Sequence, residues 1–514
     1  MYKLIKNAHV LALDDDDTEF DCADILVNGS VIEAIGPDLK LPQGADDAQV
    51  IDARGRLAMP GLINAHFHST SAFMKGALEG LHLEPYMLYE APLDDRWETK
   101  RIYYLRSMLT AMDMLKIGVT AVRDDAHFFS HPSSEMIDGV FEAFRDAGMR
   151  ASVGLGIANA PELDKVPYLK ELLTDSTAHL LSSDAPKQKE ELLELYQAVT
   201  DRWHGEAGGR LTVHGSCSAP QRVTADYLQA LSDFCATNDM SLDMHVLETK
   251  TQRVHGDLAH GKSFVRYVDD LGVLNDRTVL LHCVWVDDED MDLIAAANAV
   301  VAHNPVSNLR IGSGVMPFKA MTDRRISLCI GTDEPSVEDT SNLWSTAKTG
   351  ALLQKIADPD YDHWPTAKQF ITAMCNGGAR AMRQSKRIGS LEAGKDADLI
   401  LLDLNSLAFT PRNDLSRHLI YCENGSSVKL TMVAGQVVYQ EGQLLHVNEE
   451  EIKAEINEFW PDYRRACDRA NEQNKELVDL YKEVCKRSAA VDVGFSRWLN
   501  LQYSLMDTRA VIEP

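Results

Sequence analysis

The sequence lacks the features of a secreted or membrane-bound protein. No apolar run approaches the roughly 18 residues that a membrane-spanning helix needs. Residues 1–7 have neither the long apolar stretch nor the small-residue cleavage site of a signal peptide. The nine cysteines are odd in number and are never spaced C-x-x-C, which indicates free thiols in a reducing compartment. We therefore expect a cytoplasmic protein that does not bind a membrane.

Basic residues are scarce. Lys and Arg total 51 against 78 Asp and Glu, which gives a formal net charge of −27. Nucleic acids and anionic membranes bind basic surfaces, so this charge balance excludes both as expected partners. We expect a small-molecule substrate instead. At 514 residues, the chain is long enough for one large barrel with additional segments.

Strand-like and helix-like segments alternate through the middle of the chain. This alternation predicts an α/β fold with a parallel sheet. Eight units predict a (β/α)8 TIM-like barrel, whose reactive groups lie at the carboxyl ends of the strands. The predicted strands span 57–68, 119–123, 151–157, 210–215, 242–246, 278–284, 299–302 and 327–332.

Short strand-like segments flank the barrel on both sides in sequence. Asn28-Gly29 is a hairpin signal in the first segment, and the second has a turn at 434–436. We expect both segments to form one small β-sandwich domain. A charged helical extension follows, and it is predicted to pack on the barrel or on a second subunit of a homo-oligomer. The predicted boundaries are 1–56 and 389–446 for the two sandwich parts, 57–388 for the barrel and 447–514 for the extension.

Potential metal ligands follow several of the predicted strands. His66 and His68 end the first strand, His245 ends the fifth and Asp333 ends the eighth. Side chains two apart on a strand point the same way, so an H-x-H pair aims two imidazoles at one spot. The alternative is an ordinary polar pair at a strand end. Imidazole suits zinc, iron or nickel, and residue type alone does not choose among them.

Two further residues are predicted to transfer protons beside this metal. Glu248 follows His245 by three positions, so the strand must end near His245 for the carboxylate to lean over the metal. His282 ends the sixth strand and would orient the nucleophile, with a satisfied core histidine as the alternative. Asp333 would also accept a proton. Bound zinc lowers the pKa of water from 15.7 to about 7, and Glu248 could pass a proton to a leaving nitrogen. The set predicts hydrolysis of a C–N bond.

The motifs P-G-L-I-N-A-H-F-H, H-V-L-E-T, H-N-P-V-S-N-L and G-T-D, in this order, resemble the amidohydrolase superfamily. The resemblance spans roughly residues 1–445 and is strongest to the branch of guanine deaminase, the methylthioadenosine/S-adenosylhomocysteine deaminases and the triazine hydrolases. It implies that one divalent metal, zinc or alternatively iron(II), is bound by His66, His68, His245 and Asp333. Binuclear members carry a bridging Lys on strand four. This strand has none, so the resemblance implies a single metal.

Six residues are predicted to contact the substrate. The motif at 303–309 resembles a pocket loop of these deaminases, although its Pro and polar side chains could serve only to order the loop. Cys217 occupies the place where adenosine-type deaminases carry a His. Glu334 stands where relatives often carry a small residue after the metal-binding Asp. It either binds an amino or cationic group or forms a salt bridge away from the pocket. The predicted contacts are Cys217, His303, Asn304, Ser307, Glu334 and Asp125.

These features predict a single-metal aminohydrolase acting on a nitrogen-rich ring such as a purine, pterin or triazine. The same site could instead cleave a urea, carbamate or thiocarbamate bond, releasing an organic amine or thiol rather than ammonia. A non-catalytic scaffold is the third alternative. It is disfavoured because the sequence retains the whole inferred set of metal and proton-transfer residues.

Overall fold

The structure is a computed structural model that describes residues 1–89, 95–128, 132–174, 177, 181 and 187–498. These residues form a barrel of parallel strands surrounded by helices, a mixed sheet beside it and one long C-terminal helix. The described strands are β1 (Tyr2–Leu11), β2 (Glu19–Asn28), β3 (Val31–Gly36), β4 (Gln49–Asp52), β5 (Arg56–Pro60), β6 (Leu62–Phe67), β7 (Val119–Ala126), β8 (Arg150–Leu155), β9 (Leu211–Val213), β10 (Gly215–Ser216), β11 (Leu242–Val246), β12 (Thr278–His282), β13 (Val300–His303), β14 (Ser327–Ile330), β15 (Leu399–Asp403), β16 (Val428–Val433), β17 (Gln436–Gln440) and β18 (Gln443–Leu444).

Helices follow most of the barrel strands, as parallel strands require for their crossover connections. The described α-helices are α1 (Leu83–Tyr86), α2 (Lys100–Lys116), α3 (Ser134–Ala147), α4 (Leu169–Leu172), α5 (Lys189–Trp203), α6 (Glu206–Gly209), α7 (Ala225–Thr237), α8 (Lys250–His260), α9 (Phe264–Asp270), α10 (Asp288–Ala296), α11 (Pro305–Arg310), α12 (Phe318–Asp323), α13 (Leu343–Ala357), α14 (Ala367–Thr372), α15 (Gly378–Ala381), α16 (Leu415–Tyr421) and α17 (Glu449–Ala490). None of them is both long and apolar enough to cross a bilayer.

The barrel is assembled from two parallel sheets, β6-β7-β8-β9 and β10-β11-β12-β13-β14. The first seam lies at His214, between β9 and β10, where the chain switches partner: the amide of His214 donates to Val153 and the next amide donates to Ser241. The second seam joins β6 to the end of β14, where the amide of Asp333 donates to the carbonyl of His66 at 2.9 Å. Counting β9 and β10 as one interrupted strand, the barrel has eight strands, and the predicted fold class is confirmed.

Both flanking segments contribute to one nine-stranded mixed sheet. Its order is β18-β17-β16-β15-β5-β1-β2-β3, with β4 beside β1. The late strand β15 pairs antiparallel with the early strand β5, which joins the two parts of the chain directly. The predicted assembly of a β-domain from both flanks of the barrel is therefore confirmed.

The C-terminal helix α17 is 42 residues long and packs on the barrel of its own chain. Asn448 caps its first turn by accepting a hydrogen bond from the amide of Glu451. Its buried stripe includes Tyr463, Leu477 and Tyr481, at the helical spacing that such a stripe needs. The predicted C-terminal extension is thus a helix up to Ala490, and its last part, 499–514, lies outside the described residues.

A buried arginine links the barrel to the β-domain. Arg150, at the start of β8, is 0% exposed, and its guanidinium donates to Asp398 at 2.7 Å and to Asp396 at 2.8 Å. A buried guanidinium needs such partners because an unpaired buried charge is very unfavourable. The two carboxylates in turn have little access to water. Among the described residues, removing the arginine would leave Asp398 without a cationic partner, whereas Asp396 would keep Arg387 at 2.7 Å.

We predict that Arg150→Met lowers the free energy of unfolding by about 3–5 kcal/mol, because it leaves the buried carboxylate of Asp398 without an ion-pair partner. The matched control is Arg54→Met. Arg54 also pairs with a carboxylate, Asp52, at 2.7 Å, but both side chains are more than half exposed. The control should change stability far less, because exposed ion pairs are screened by water and contribute little. Urea unfolding followed by circular dichroism measures both, and equal small losses would contradict the assignment of Arg150.

Candidate functional site

Three imidazoles and one carboxylate converge at the carboxyl ends of the barrel strands. His66 lies on β6, His68 just follows it, His245 lies on β11 and Asp333 follows β14. One oxygen of Asp333, Oδ1, lies 3.3 Å from Nε2 of His66 and 3.2 Å from Nε2 of His68. The two nitrogens His68 Nε2 and His245 Nε2 are 3.3 Å apart. All four ligand atoms lie within 4.8 Å of one another, so one ion could contact them all.

Backbone carbonyls fix the tautomers of two of these histidines. Nδ1 of His68 lies 2.6 Å from the carbonyl of Asp125, and Nδ1 of His245 lies 2.6 Å from the carbonyl of Ser218. A carbonyl only accepts, so each Nδ1 carries the proton and each Nε2 presents a lone pair to the centre. This is the arrangement that metal-binding histidines adopt.

The polar atoms at the centre fit a divalent cation. Nε2 of His66 is buried, and within the described part of the chain it has no hydrogen-bond partner. Burial alone would raise the pKa of Asp333, but the facing imidazoles of His66 and His68 hold that pKa well below its usual range. An anionic oxygen facing several nitrogen lone pairs is the donor set that zinc binds. Ser307 donates to the other oxygen of Asp333 at 2.6 Å and so orients the carboxylate.

Left-handed residues at the strand ends turn these side chains toward the centre. β11 ends at Val246 and Leu247 has φ 51°, which turns the chain so that Glu248 faces the same cleft as His245. His282 at the end of β12 has φ 70°, and Asp333 after β14 has φ 65°. Non-glycine residues seldom adopt this conformation, and they occur preferentially at functional sites.

Glu248 and His282 lie side by side next to the cluster. Oε1 of Glu248 lies 3.7 Å from Nδ1 of His282, and both residues are buried. Burial, reinforced by the negative charge of Asp333, raises the pKa of Glu248 well above its usual value, which favours the protonated carboxyl. Burial lowers the pKa of His282 to about 4, so this imidazole is neutral.

Asn308 sets the tautomer of His282. Its Oδ1 lies 2.9 Å from Nδ1 of His282, and this bond places the proton on Nδ1 and leaves Nε2 as an acceptor. Nε2 lies 3.6 Å from Oδ2 of Asp333. The motif 303–309 contained Asn308, but a sequence pattern does not show that the amide oxygen of Asn308 reaches His282 on β12.

The cluster opens into a cleft of about 420 Å³. Both apolar and ionisable side chains line it, and they contact one another: Arg222 lies against Met87, and Tyr86 donates to Glu334. The apolar members are Leu83, Tyr86, Met87, Ile311 and Val337; the ionisable members are His68, His127, Arg222, His245, Glu248, Asp333 and Glu334. The sequence patterns did not identify Tyr86 or Arg222 as residues of the cleft wall, because neither lies in one of the metal motifs.

The structure places two of the six predicted substrate contacts, Ser307 and Glu334, in the cleft wall. Glu334 does not point away into a remote salt bridge: its Oε2 accepts from Tyr86 at 3.0 Å and from Ser336 at 2.9 Å. Its other oxygen lies 3.7 Å from Nδ1 of His127. The carboxylate of Asp125 lies behind the wall, 3.6 Å from His127, so Asp125 supports the cleft without lining it.

The remaining three predicted contacts do not line the cleft. Cys217 is fully buried in the main hydrophobic core, and its neighbour Ser218 lines the cleft in its place. His303 packs its ring against Phe318 of α12, with ring centroids 5.7 Å apart. Asn304 is buried against backbone, where its amide can donate to the carbonyls of His303 and Gly331. Their positions do not support direct substrate contact.

Residues 57–438 match the amidohydrolase family, so the predicted resemblance is confirmed. A 5-methylthioadenosine/S-adenosylhomocysteine deaminase of Moorella thermoacetica is 31% identical over 433 residues, which are 84% of this chain and 93% of that protein. A 5′-deoxyadenosine deaminase of Methanosarcina mazei is 28% identical over 449 residues, 87% of this chain and 95% of that protein.

Two solved structures share the fold. An adenosine deaminase from Xanthomonas campestris with bound zinc has a TM-score of 0.77 and 23% identity, and the match covers 90% of this chain and 98% of that one. An atrazine chlorohydrolase from Arthrobacter aurescens TC1 complexed with zinc has a TM-score of 0.79 and 24% identity, with coverage of 88% and 99%.

We predict that His245→Ala lowers the bound metal from about one ion per chain to a small fraction, because a site of four ligands loses one nitrogen. His303→Ala is the matched control. It removes a buried histidine that faces Phe318 rather than the cluster, and it should retain the metal. Plasma mass spectrometry of purified protein measures both. Full metal content in His245→Ala would refute the ligand set.

Proposed function

This chain belongs to the amidohydrolase family, and we propose that it uses one divalent metal to deaminate an aminopurine of the adenosine type. The predicted enzyme class, a hydrolase of carbon–nitrogen bonds other than peptide bonds, is confirmed by the family and by its deaminase relatives. The observation that carries the proposal is that His68, His245 and Asp333 of the cluster line one cleft together with Glu248. Neutral His282 lies 3.7 Å from Glu248.

We assign the metal to His66, His68, His245 and Asp333, and we propose zinc. In support, three nitrogens and one carboxylate oxygen are ligands that zinc favours, and two solved proteins of this fold contain zinc. A divalent metal bound here supplies an acidified water and polarises the reacting bond.

The proton steps fall to residues of the chain. Hydrolytic deamination adds a water oxygen to the ring carbon, breaks the bond from that carbon to the amino nitrogen, and delivers a proton to the nitrogen that leaves as ammonia. Nε2 of His282 is an unprotonated acceptor that can take a proton from the water. Burial raises the pKa of Glu248 beside it and so favours the protonated carboxyl, and we assign proton delivery to Glu248.

The carboxylate of Glu334 in the cleft wall is suited to a polar heterocycle. Oε2 of Glu334 is saturated by Tyr86 and Ser336, whereas Oε1 has no donor within 3.5 Å among the residues that the structure describes. We propose that Oε1 accepts from an N–H or O–H of the substrate.

We further propose that the protein is a cytoplasmic homo-oligomer. All nine cysteines are free thiols, as in proteins of a reducing compartment. Leu352 and Ile356 lie one helical turn apart on α13 and are 44% and 65% exposed, and Tyr361 nearby is 72% exposed. Such clustered apolar exposure is typical of an interface between subunits.

We predict that Glu248→Gln keeps its zinc and loses about 10²–10⁴-fold in kcat, which is the contribution expected of general acid–base catalysis. The assay is ammonia release from 5′-deoxyadenosine and related aminopurine nucleosides. Glu338→Gln is the matched control, because Glu338 is a buried glutamate whose pKa is raised by burial to about 8 but which does not line the cleft. The control should stay within a few-fold of wild type.

Two results would count against this function. Full activity of Glu248→Gln would remove Glu248 from the chemistry. Release of an organic amine or thiol, with no ammonia from any aminopurine, would favour cleavage of a urea, carbamate or thiocarbamate instead.

A further inference from the structure

One side of the cleft is built by a short segment that lies between the cleft and the C-terminal helix. This wall segment consists of α1, Leu83–Tyr86, and the 3-10 turn Met87–Tyr89. Leu83, Tyr86 and Met87 line the cleft. A single helical turn is not stable by itself, because nucleation of a helix is unfavourable. The position of the wall segment therefore depends on what holds it from behind.

Glu84 is the first anchor of the wall segment. Its carboxylate is 3% exposed and points away from the cleft, where Oε1 accepts from Oγ1 of Thr249 at 2.6 Å. Oε2 accepts from the thiol of Cys485 on α17 at 3.3 Å. A buried carboxylate is tolerated only when it is hydrogen-bonded, so these two donors determine where Glu84, and α1 with it, can lie.

The carboxylate of Glu84 is also linked by hydrogen bonds to the turn that carries Glu248. Thr249, which donates to Glu84, also caps α8 by accepting from the amide of Gln252. Gln252 in turn accepts from the amide of Glu248 at 2.8 Å. Glu84 thus lies between Cys485 of α17 and the turn that carries Glu248.

Asn474 provides the second anchor. Its Nδ2 donates to the carbonyl of Leu88 at 2.6 Å, and Leu88 packs beside Leu477 and Tyr481 of α17. Asn474 and Cys485 are eleven residues apart, or about 16 Å along an α-helix. Two contacts so far apart fix both the position and the tilt of the wall segment against α17.

We propose that α17 holds the wall segment in place for substrate binding, and that Cys485 and Asn474 act as its positioning residues. The inference rests on the proposed function, since it takes the cleft to hold the substrate. α17 lies outside the residues that match the family, 57–438, so the family match does not include this role. It acts from the same chain rather than from a neighbouring subunit. Neither residue lines the cleft, so loss of both anchors should weaken substrate binding and leave the reacting groups in place.

The test compares the double variant Cys485→Ala/Asn474→Ala with wild type in zinc-loaded, full-length protein, with ammonia release as the assay. Loss of two hydrogen bonds to the wall segment should raise KM about tenfold, while kcat stays within about twofold and zinc content is unchanged. In a protein that carries Asn474→Ala, Cys485→Ser in place of Cys485→Ala keeps a donor to Glu84. This change should restore most of the affinity for substrate. If the double variant does not fold, Asn474→Ala alone is measured instead, and it should still raise KM above wild type through loss of the bond to Leu88.

Cys467→Ala is the matched control. Cys467 lies on the same helix and is as deeply buried as Cys485, at 6% against 7% exposed, but it donates no hydrogen bond to the described wall segment. Its KM should remain that of wild type. An equal rise in KM for Cys467→Ala would show general loosening of α17 and overturn the proposal, as would an unchanged KM in the double variant. A wild-type enzyme that releases no ammonia would instead refute the proposed function.

Discussion

The site depends on keeping several nitrogen lone pairs and a carboxylate oxygen close together in a buried place. Nε2 of His68 lies 3.3 Å from Nε2 of His245 and 3.2 Å from an oxygen of Asp333. Without a cation, facing lone pairs repel one another and the buried charge is poorly solvated. The backbone carbonyls that hold each Nδ1 prevent the rings from turning away. A bound metal resolves this conflict, so the protein fold and the metal stabilise each other.

The seam between β6 and the end of β14 closes the barrel, and the site is assembled at the same seam. The amide of Asp333 donates to His66 across this seam, and one residue back Thr332 and Asn64 exchange two hydrogen bonds, at 2.7 and 3.0 Å. Two of the proposed metal ligands, His66 and Asp333, therefore lie beside the contact that joins β6 to the end of β14. A disturbance of barrel closure would separate these ligands, which couples the stability of the fold to the geometry of the site.

The sequence was sufficient to predict the barrel and the converging residues, because strand ends of a parallel barrel meet at one face whatever the loops do. It did not predict side-chain direction beyond the strands. Ala302 packs inside the barrel with Leu281, so the next residue, His303, points outward to Phe318. Asn308, Tyr86 and Arg222 were missed for a related reason, since their positions depend on loops and tertiary packing rather than on local pattern.

The most direct test of the metal centre is a zinc titration of metal-depleted protein, with ammonia release from an aminopurine nucleoside measured at each addition. The account predicts that activity is absent at the start, rises in proportion to added zinc and stops rising at one zinc per chain. Activity that persists in metal-depleted protein, or that continues to rise up to two zinc ions per chain, would contradict a single catalytic metal held by His66, His68, His245 and Asp333.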